Sequence, residues 1–259
     1  MCESPAAADM RVVAGRNPVV EALKAKRVMR LLVSETVTHD KALRALLDQA
    51  RAAGVSPETA PQATLDRRAA GVAHQGVLAY CEDRGYASLD DILRIARERG
   101  EEPFLILLDG VEDPHNLGAI LRVADGAGAH GVVIPGREAV GLTPTVFKAS
   151  AGAAEHVAVA QVGSIMDAVL QLKRADVWIG MAEAGAGRYY YEETLTGPLA
   201  LVMGSEGYGV SRPVAKHCDL AVKIPLKGAV TSLNVSVATA ILAYERVRQL
   251  AQGRPKRSR

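Results

Sequence analysis

Four side chains in this chain have the types and spacing to do chemistry. Asn116 and Arg122 stand six residues apart, Glu206 sits inside Gly204-Ser-Glu-Gly-Tyr-Gly209, and Asn234 sits inside Ser232-Leu-Asn-Val-Ser236. The two amides can donate and accept hydrogen bonds at once, the carboxylate accepts, and the guanidinium donates and stays charged because its pKa lies above about 12. Such a set can orient a polar ligand and stabilise negative charge that develops during a reaction. Asn234 lies between Leu233 and Val235, and an amide among apolar neighbours is costly unless it is hydrogen-bonded. The bland account of the same residues is a capped helix, a surface arginine and a loop carboxylate in water.

Other chemistries find less support. Cys2, Cys81 and Cys218 are far apart and lack metal-ligand spacing, which argues against a zinc site and for a reducing compartment. Ser232 and Ser236 read as capping and packing groups, since no histidine and carboxylate stand at serine-hydrolase spacing from them. His115 neighbours Asn116 and could contact RNA, and Tyr189-Tyr-Tyr191 reads either as a base-stacking cluster or as a packed edge strand. Gly126-Ala-Gly-Ala-His-Gly131 satisfies a three-glycine dinucleotide pattern. That motif requires a strand before it and a helix opening within it, whereas here a helix ends and a strand begins.

The elements that must position the four residues follow from the apolar pattern. Near-continuous apolar strands are expected at 104–109, 131–135, 155–160, 176–182, 199–203 and 219–224. Helices are expected at 116–127, 143–150, 164–174, 211–217 and 232–250, with Ser232 capping the last. Strands of that kind, alternating with helices, imply a parallel sheet covered on both faces. A small α/β module precedes it. Its first helix is expected to open with Asn17 as cap and Pro18 in the first turn. The expected division is a disordered leader at 1–10, a small domain at 11–82, a linker at 83–103, the large domain at 104–252 and a basic tail at 253–259.

At 259 residues, with 49% hydrophobic and 23% charged residues, the chain has the balance of a globular protein. A net charge of +2 does not announce nucleic-acid binding, so any RNA surface must come from local clusters of Lys and Arg. The first 82 residues carry such an excess. No apolar run reaches the ~20 residues that span a bilayer, and the first residues lack a signal pattern. The expected location is cytoplasmic, with no membrane partner.

In order along the chain, Asn-x5-Arg after one strand, Gly-x-Glu-Gly-x-Gly after another and Ser-Leu-Asn-Val-Ser at a helix start resemble the three motifs of the SPOUT superfamily of RNA methyltransferases. More narrowly, they resemble the TrmH-type ribose 2′-O-methyltransferases. Val13-Ala-Gly-Arg-Asn-Pro and His74-Gln-Gly-Val77 resemble that family's small RNA-binding domain. The resemblance implies an L30e-like first domain, a SPOUT domain with a trefoil knot, a homodimer and S-adenosyl-L-methionine as cofactor. It places Gly204, Gly209, Ile224 and Leu233 at the cofactor and Arg122, Asn116, Glu206 and Asn234 at the reaction. It casts Arg122 as the base for the 2′-hydroxyl; the high guanidinium pKa favours instead a charged Arg122 that grips phosphate and stabilises the alkoxide. Glu206 either stays in water or pairs with Arg122 or Asn116. The narrower match implies a guanosine in 23S ribosomal RNA, free or in an assembly precursor. The alternatives are a transfer-RNA ribose methyltransferase and a non-catalytic RNA-binding assembly factor.

Overall fold

The computed structural model describes residues 10–37, 40–82, 85–137 and 139–257. The expected leader lies outside these, except for Met10, which opens the first strand, and so does Cys2. The order begins β1 (Met10–Ala14), α1 (Arg16–Lys24), β2 (Val28–Ser34), α2 (Lys41–Ala52), β3 (Pro57–Ala60), α3 (Gln62–Arg68) and β4 (Val77–Glu82). It continues with α4 (Leu89–Arg99), β5 (Phe104–Asp109), α5 (Pro114–Gly126), β6 (Gly131–Pro135), α6 (Pro144–Ala149), β7 (Ala158–Val162), α7 (Ile165–Arg174) and β8 (Trp178–Ala182). The last elements are β9 (Arg188–Tyr189), β10 (Leu199–Gly204), α8 (Arg212–Ala215), β11 (Leu220–Lys223) and α9 (Val235–Ala251). The chain divides into two compact units, residues 1–85 with 142–156, and residues 86–141 with 157–259.

The first unit is built on a sheet ordered β1-β4-β2-β3. Its strands alternate between faces, apart from a register shift between Val28 and Arg30 in β2. Leu31, Val33, Val77 and Ala79 pack with Leu43 and Leu46 of α2, whereas Leu32 and Leu78 pack on the opposite side with Leu65 of α3. Helix α1 opens at Arg16, one residue before the expected cap. The capping position is Gly15 at φ +102°, a conformation suited to glycine. Arg16 donates through its backbone N and its Nε to Gln75, joining the two stretches that carry the resemblance. Residues 142–156 also belong here. The guanidinium of Arg11 pairs with buried Glu155 and lies 3.9 Å from the centroid of the Phe147 ring.

The second unit holds a seven-stranded parallel sheet ordered β7-β6-β5-β10-β8-β11-β9. Leu105, Leu107, Ala200 and Val202 face α4 and α7 in one buried cluster. Helices α5 and α9 pack against each other, and α9 lies on β10. Segment 83–103, expected as a linker, is therefore more than a tether: Leu89, Ile92, Leu93 and Ala96 of α4 are buried in this core. The basic tail is docked where it is described. Pro255 O accepts from Thr196, and Arg257 pairs with Glu193 and lies 5.1 Å from the Trp178 ring centroid. Glycine 126 ends α5 and Gly131 starts β6, so the three-glycine run joins helix to strand and has no dinucleotide-binding context.

The order of strands decides where a site can form. From β5 the chain crosses outward to β6 and β7, and from β10 it crosses the other way to β11. Connections that leave adjacent parallel strands in opposite directions open a crevice beyond their C-terminal ends. Asp109 ends β5, Gly204 ends β10, and the two are register partners.

Candidate functional site

The site is assembled at that crevice by three loops. After β5 the chain turns through Gly110, and Asp113 caps α5, its carboxylate accepting from His115 N at 2.8 Å. The helix thus opens two residues before the expected position, and Asn116 lies in its first turn. After β10, Ser205–Gly209 folds back on itself, with Gly209 N donating to Ser205 O at 2.9 Å. Gly207 and Gly209 have φ +92° and +69°, which glycine adopts without strain. After β11 the chain runs to Asn234, which caps α9 in place of Ser232. Its Oδ1 accepts from Ser236 N at 3.0 Å and Val237 N at 3.4 Å.

These loops bring three of the four expected residues together. Asn234 Nδ2 donates to Asn116 Oδ1 and to Glu206 Oε1, both at 2.8 Å. Asn116 Nδ2 donates to Glu206 Oε1 at 3.2 Å, and Val235 N donates to the same oxygen at 3.4 Å. Glu206 thus pairs with the amides and not with Arg122. Its carboxylate sits at the first turns of α5 and α9, where helix N-termini favour negative charge. Arg122 is exposed on α5 and makes no hydrogen bond or ion pair among the described residues. It lies about 1.7 turns further along, a rise of about 9 Å from Asn116.

Two cavities flank the Ser205–Gly209 loop. The first, of about 500 Å³, is lined by Gly204, Gly209, Ile224 and Leu233, the four residues expected at the cofactor, with Met203 and Ala238 among others. Its size and apolar, backbone-rich lining are those of a site for a small organic ligand. S-adenosylmethionine fits that description, because a glycine-lined wall lets the peptide groups approach a nucleoside. Gly204 is essential to the wall: a Cβ there would lie 2.0 Å from the carbonyl carbon of Gly209. The second cavity, of about 550 Å³, is lined by Asp109, Gly110, Glu112, Asp113, Asn116 and Glu206 among others. Glu206 lines both cavities, Asn116 lines the second, and Asn234 ties the two side chains together.

One positioning residue had no signature in the sequence beyond ending a strand. Asp109 Oδ2 accepts from Ser211 N at 2.8 Å and ties the far end of the glycine loop to β5. Burial disfavours a thiolate at both described cysteines. Burial pushes both the Cys81 and the Cys218 thiol up to about 12. No cluster of His, Cys, Asp and Glu suited to a metal occurs among the described residues.

Residues 103–244 match the SpoU rRNA methylase family, and residues 12–87 match the RNA 2′-O ribose methyltransferase substrate-binding family. The Bacillus subtilis protein YacO, assigned to the TrmH family of tRNA/rRNA methyltransferases, is 44% identical over 90% of this chain and 93% of its own length. The 23S rRNA (guanosine-2′-O-)-methyltransferase RlmB of Pectobacterium atrosepticum is 43% identical over 81% of this chain and 86% of its own. Among solved structures, the SpoU methyltransferase AviRb of Streptomyces viridochromogenes in complex with AdoMet matches with a TM-score of 0.76 at 27% identity. That match covers 95% of this chain and 92% of that one.

Proposed function

Because the chain belongs to the SpoU rRNA methylase family and is an S-adenosylmethionine-dependent RNA methyltransferase, we propose that it methylates the ribose 2′-hydroxyl of a guanosine in 23S ribosomal RNA. The 43% identity to the 23S rRNA (guanosine-2′-O-)-methyltransferase RlmB supports this substrate, and the Asn116–Glu206–Asn234 network beside the two cavities supports the chemistry. The cofactor supplies a sulfonium methyl group. The glycine-rich wall and the apolar residues Ile224 and Leu233 hold it in the first cavity. Asn116 and Glu206, on the wall of the second cavity, orient the ribose of the target nucleotide. Glu206 Oε1 is already shared by three donors, so its role is to fix the amides and not to leave them free to rotate. Arg122 holds an adjacent phosphate and stabilises the 2′-oxygen as its proton passes to solvent, while the O–C bond forms, the S–C bond of the sulfonium breaks and S-adenosylhomocysteine leaves. Mapping 2′-O-methyl sites in ribosomal and transfer RNA, with and without the gene, tests this. Loss of one 23S guanosine site is the expected result, and loss of a transfer-RNA site or of none would overturn it.

The active form in this reading is a homodimer. Val237 and Tyr244 of α9 are 47% and 50% exposed, and Ile241 lies between them on the same stripe. An apolar stripe of that kind calls for a partner surface. Light scattering at micromolar concentration should report twice the chain mass, and Val237→Glu should lower it; a monomeric wild type would refute the pairing.

The first unit selects the RNA in this reading, through fewer cations than its composition suggests. Arg11, Arg16, Lys24, Arg30 and Arg51 are each in an ion pair with a carboxylate. Exposed Arg67 and Arg68 in the last turn of α3 have no such pair among the described residues. Arg67→Ala with Arg68→Ala should weaken RNA binding and leave AdoMet affinity unchanged. The slope of log affinity against log salt should fall by about 1 per lost phosphate contact. An unchanged slope would remove these two arginines from the RNA surface.

A further inference from the structure

Tyr189, Tyr190 and Tyr191 are not used by the chemistry above, and none of their rings is in the buried core. They follow one another at the end of β9, on the edge of the sheet. The Tyr189 and Tyr191 rings stack at 5.4 Å and 10°, and Tyr190 meets Tyr191 edge-on at 5.1 Å. Tyr191 remains 44% exposed. A strand packed for stability would spend such rings on the sheet. These are spent on each other and on water.

Two cations frame the rings. Lys223 Nζ lies 4.8 Å from the Tyr189 centroid. The Arg254 guanidinium reaches only carbonyls, those of Tyr191 at 3.4 Å and Glu192 at 3.3 Å. Neither has a carboxylate within ion-pair distance among the described residues. Glu245 interacts electrostatically with Arg254 and the Glu192 carboxylate accepts from Tyr189 N, so a phosphate competes with these carboxylates for the two cations.

The place in the fold connects the cluster to the cofactor cavity. β8, β11 and β9 are parallel neighbours, so their C-terminal ends lie at one edge. Ala182 at the end of β8 lines the cavity, as does Ile224, the residue after Lys223. Tyr189 is the register partner of Lys223. Two strand spacings separate β9 from β8, about 10 Å. The ribose lies at the second cavity, where β5 and β10 end, three to four strand spacings or about 14–19 Å from β9, so nucleotides a few positions from the target come within reach of these rings.

We infer that Tyr190, Tyr191, Lys223 and Arg254 form a stacking subsite for unpaired bases a few nucleotides from the methylated one. Rings provide a face for any base, and the cations track the backbone, a combination that binds single strands with little sequence preference. The inference rests on the RNA-methylating function proposed above and adds where and in what form the strand is held. It requires the target to lie in an unpaired segment.

The test is binding, which needs no methyl transfer. The full-length protein is titrated with a short unstructured RNA and with an abasic strand of the same length. Wild type should prefer the base-bearing strand by at least about five-fold, the lower end of what one stacked base contributes. The Tyr190→Ala, Tyr191→Ala double variant should reduce that preference to within about two-fold while binding AdoMet as wild type does. The corresponding double Phe variant should keep the preference, because stacking does not need the hydroxyl. Lys223→Ala should weaken both strands alike. If the double alanine variant loses AdoMet binding through misfolding, Tyr191→Ala alone decides, since that ring is the exposed one. A preference equal in wild type and alanine variants, or a variant that changes oligomeric mass in place of RNA preference, would overturn the inference. A retained preference in a protein that methylates no 23S site would sink the proposed substrate alone.

Discussion

Gly204→Ala should abolish cofactor binding, with AdoMet affinity falling by more than about 100-fold, or about 2.7 kcal/mol. The added Cβ would stand 2.0 Å from Gly209 C and 2.2 Å from both Gly209 O and Val210 N. All three are backbone atoms, so no side-chain rotation relieves the clash, and the Gly209–Val210 peptide must move by more than an ångström. That peptide is held on both sides, by Gly209 N to Ser205 O at 2.9 Å and by Ser211 N to Asp109 at 2.8 Å. Moving it breaks these bonds, each worth about 1 kcal/mol, and pushes the glycine wall into the cavity. The sheet itself should survive, because Leu199–Met203 are packed independently of the loop. Circular dichroism should therefore show native secondary structure with a lowered melting point, while calorimetry shows no AdoMet binding. Gly163→Ala is the control, since a Cβ there meets nothing within 4 Å. An AdoMet affinity within about three-fold of wild type in Gly204→Ala would mean the loop does not form the cofactor wall.

The parallel sheet was legible because its strands are buried on both faces. Phe104–Leu108 and Leu199–Met203 read as unbroken apolar runs, and the structure places both as β5 and β10 at its centre. The grouping of Asn116 and Glu206 was legible only as a pairing option; what chose it was Asn234, whose amide reaches both. The same contacts explain why α9 starts at Asn234 and not Ser232. Both residues are good caps in isolation, and the tie to Asn116 and Glu206, remote in sequence, is what distinguishes them. The docking of 142–156 with the first unit had no local sign either. It depends on Arg11 meeting Glu155, 144 residues apart. Periodicity reports which face of an element is apolar, not which distant element covers it.

Arg122→Ala should lower the methylation rate by about 10²–10³-fold, the loss typical of removing one group that stabilises charge in a transition state. Arg122 lies outside the Asn116–Glu206–Asn234 network and lines neither cavity. AdoMet affinity and folding should therefore be unchanged, which separates this variant from Gly204→Ala. The role requires its side chain to reach toward the Asn116 end of α5. Helical side chains lean toward the N-terminus, so the long arginine leans from its own turn back toward the Asn116 end of α5. It also lies one turn before Gly126, whose missing Cβ leaves room for the Tyr244 hydroxyl. Arg122 thus borders the exposed stripe of α9 proposed for pairing, and a purely structural role at that surface is the competing account. The two accounts separate by mass and by chemistry. A positioning or charge-stabilising arginine predicts a dimer with unchanged AdoMet affinity and lost turnover, with partial recovery in Arg122→Lys, which keeps the charge but not the planar fork. An interface arginine predicts a lighter particle whose activity returns as protein concentration rises. Retention of more than about a tenth of the wild-type rate, a change in the barrier below about 1.4 kcal/mol, would exclude Arg122 from the chemistry altogether.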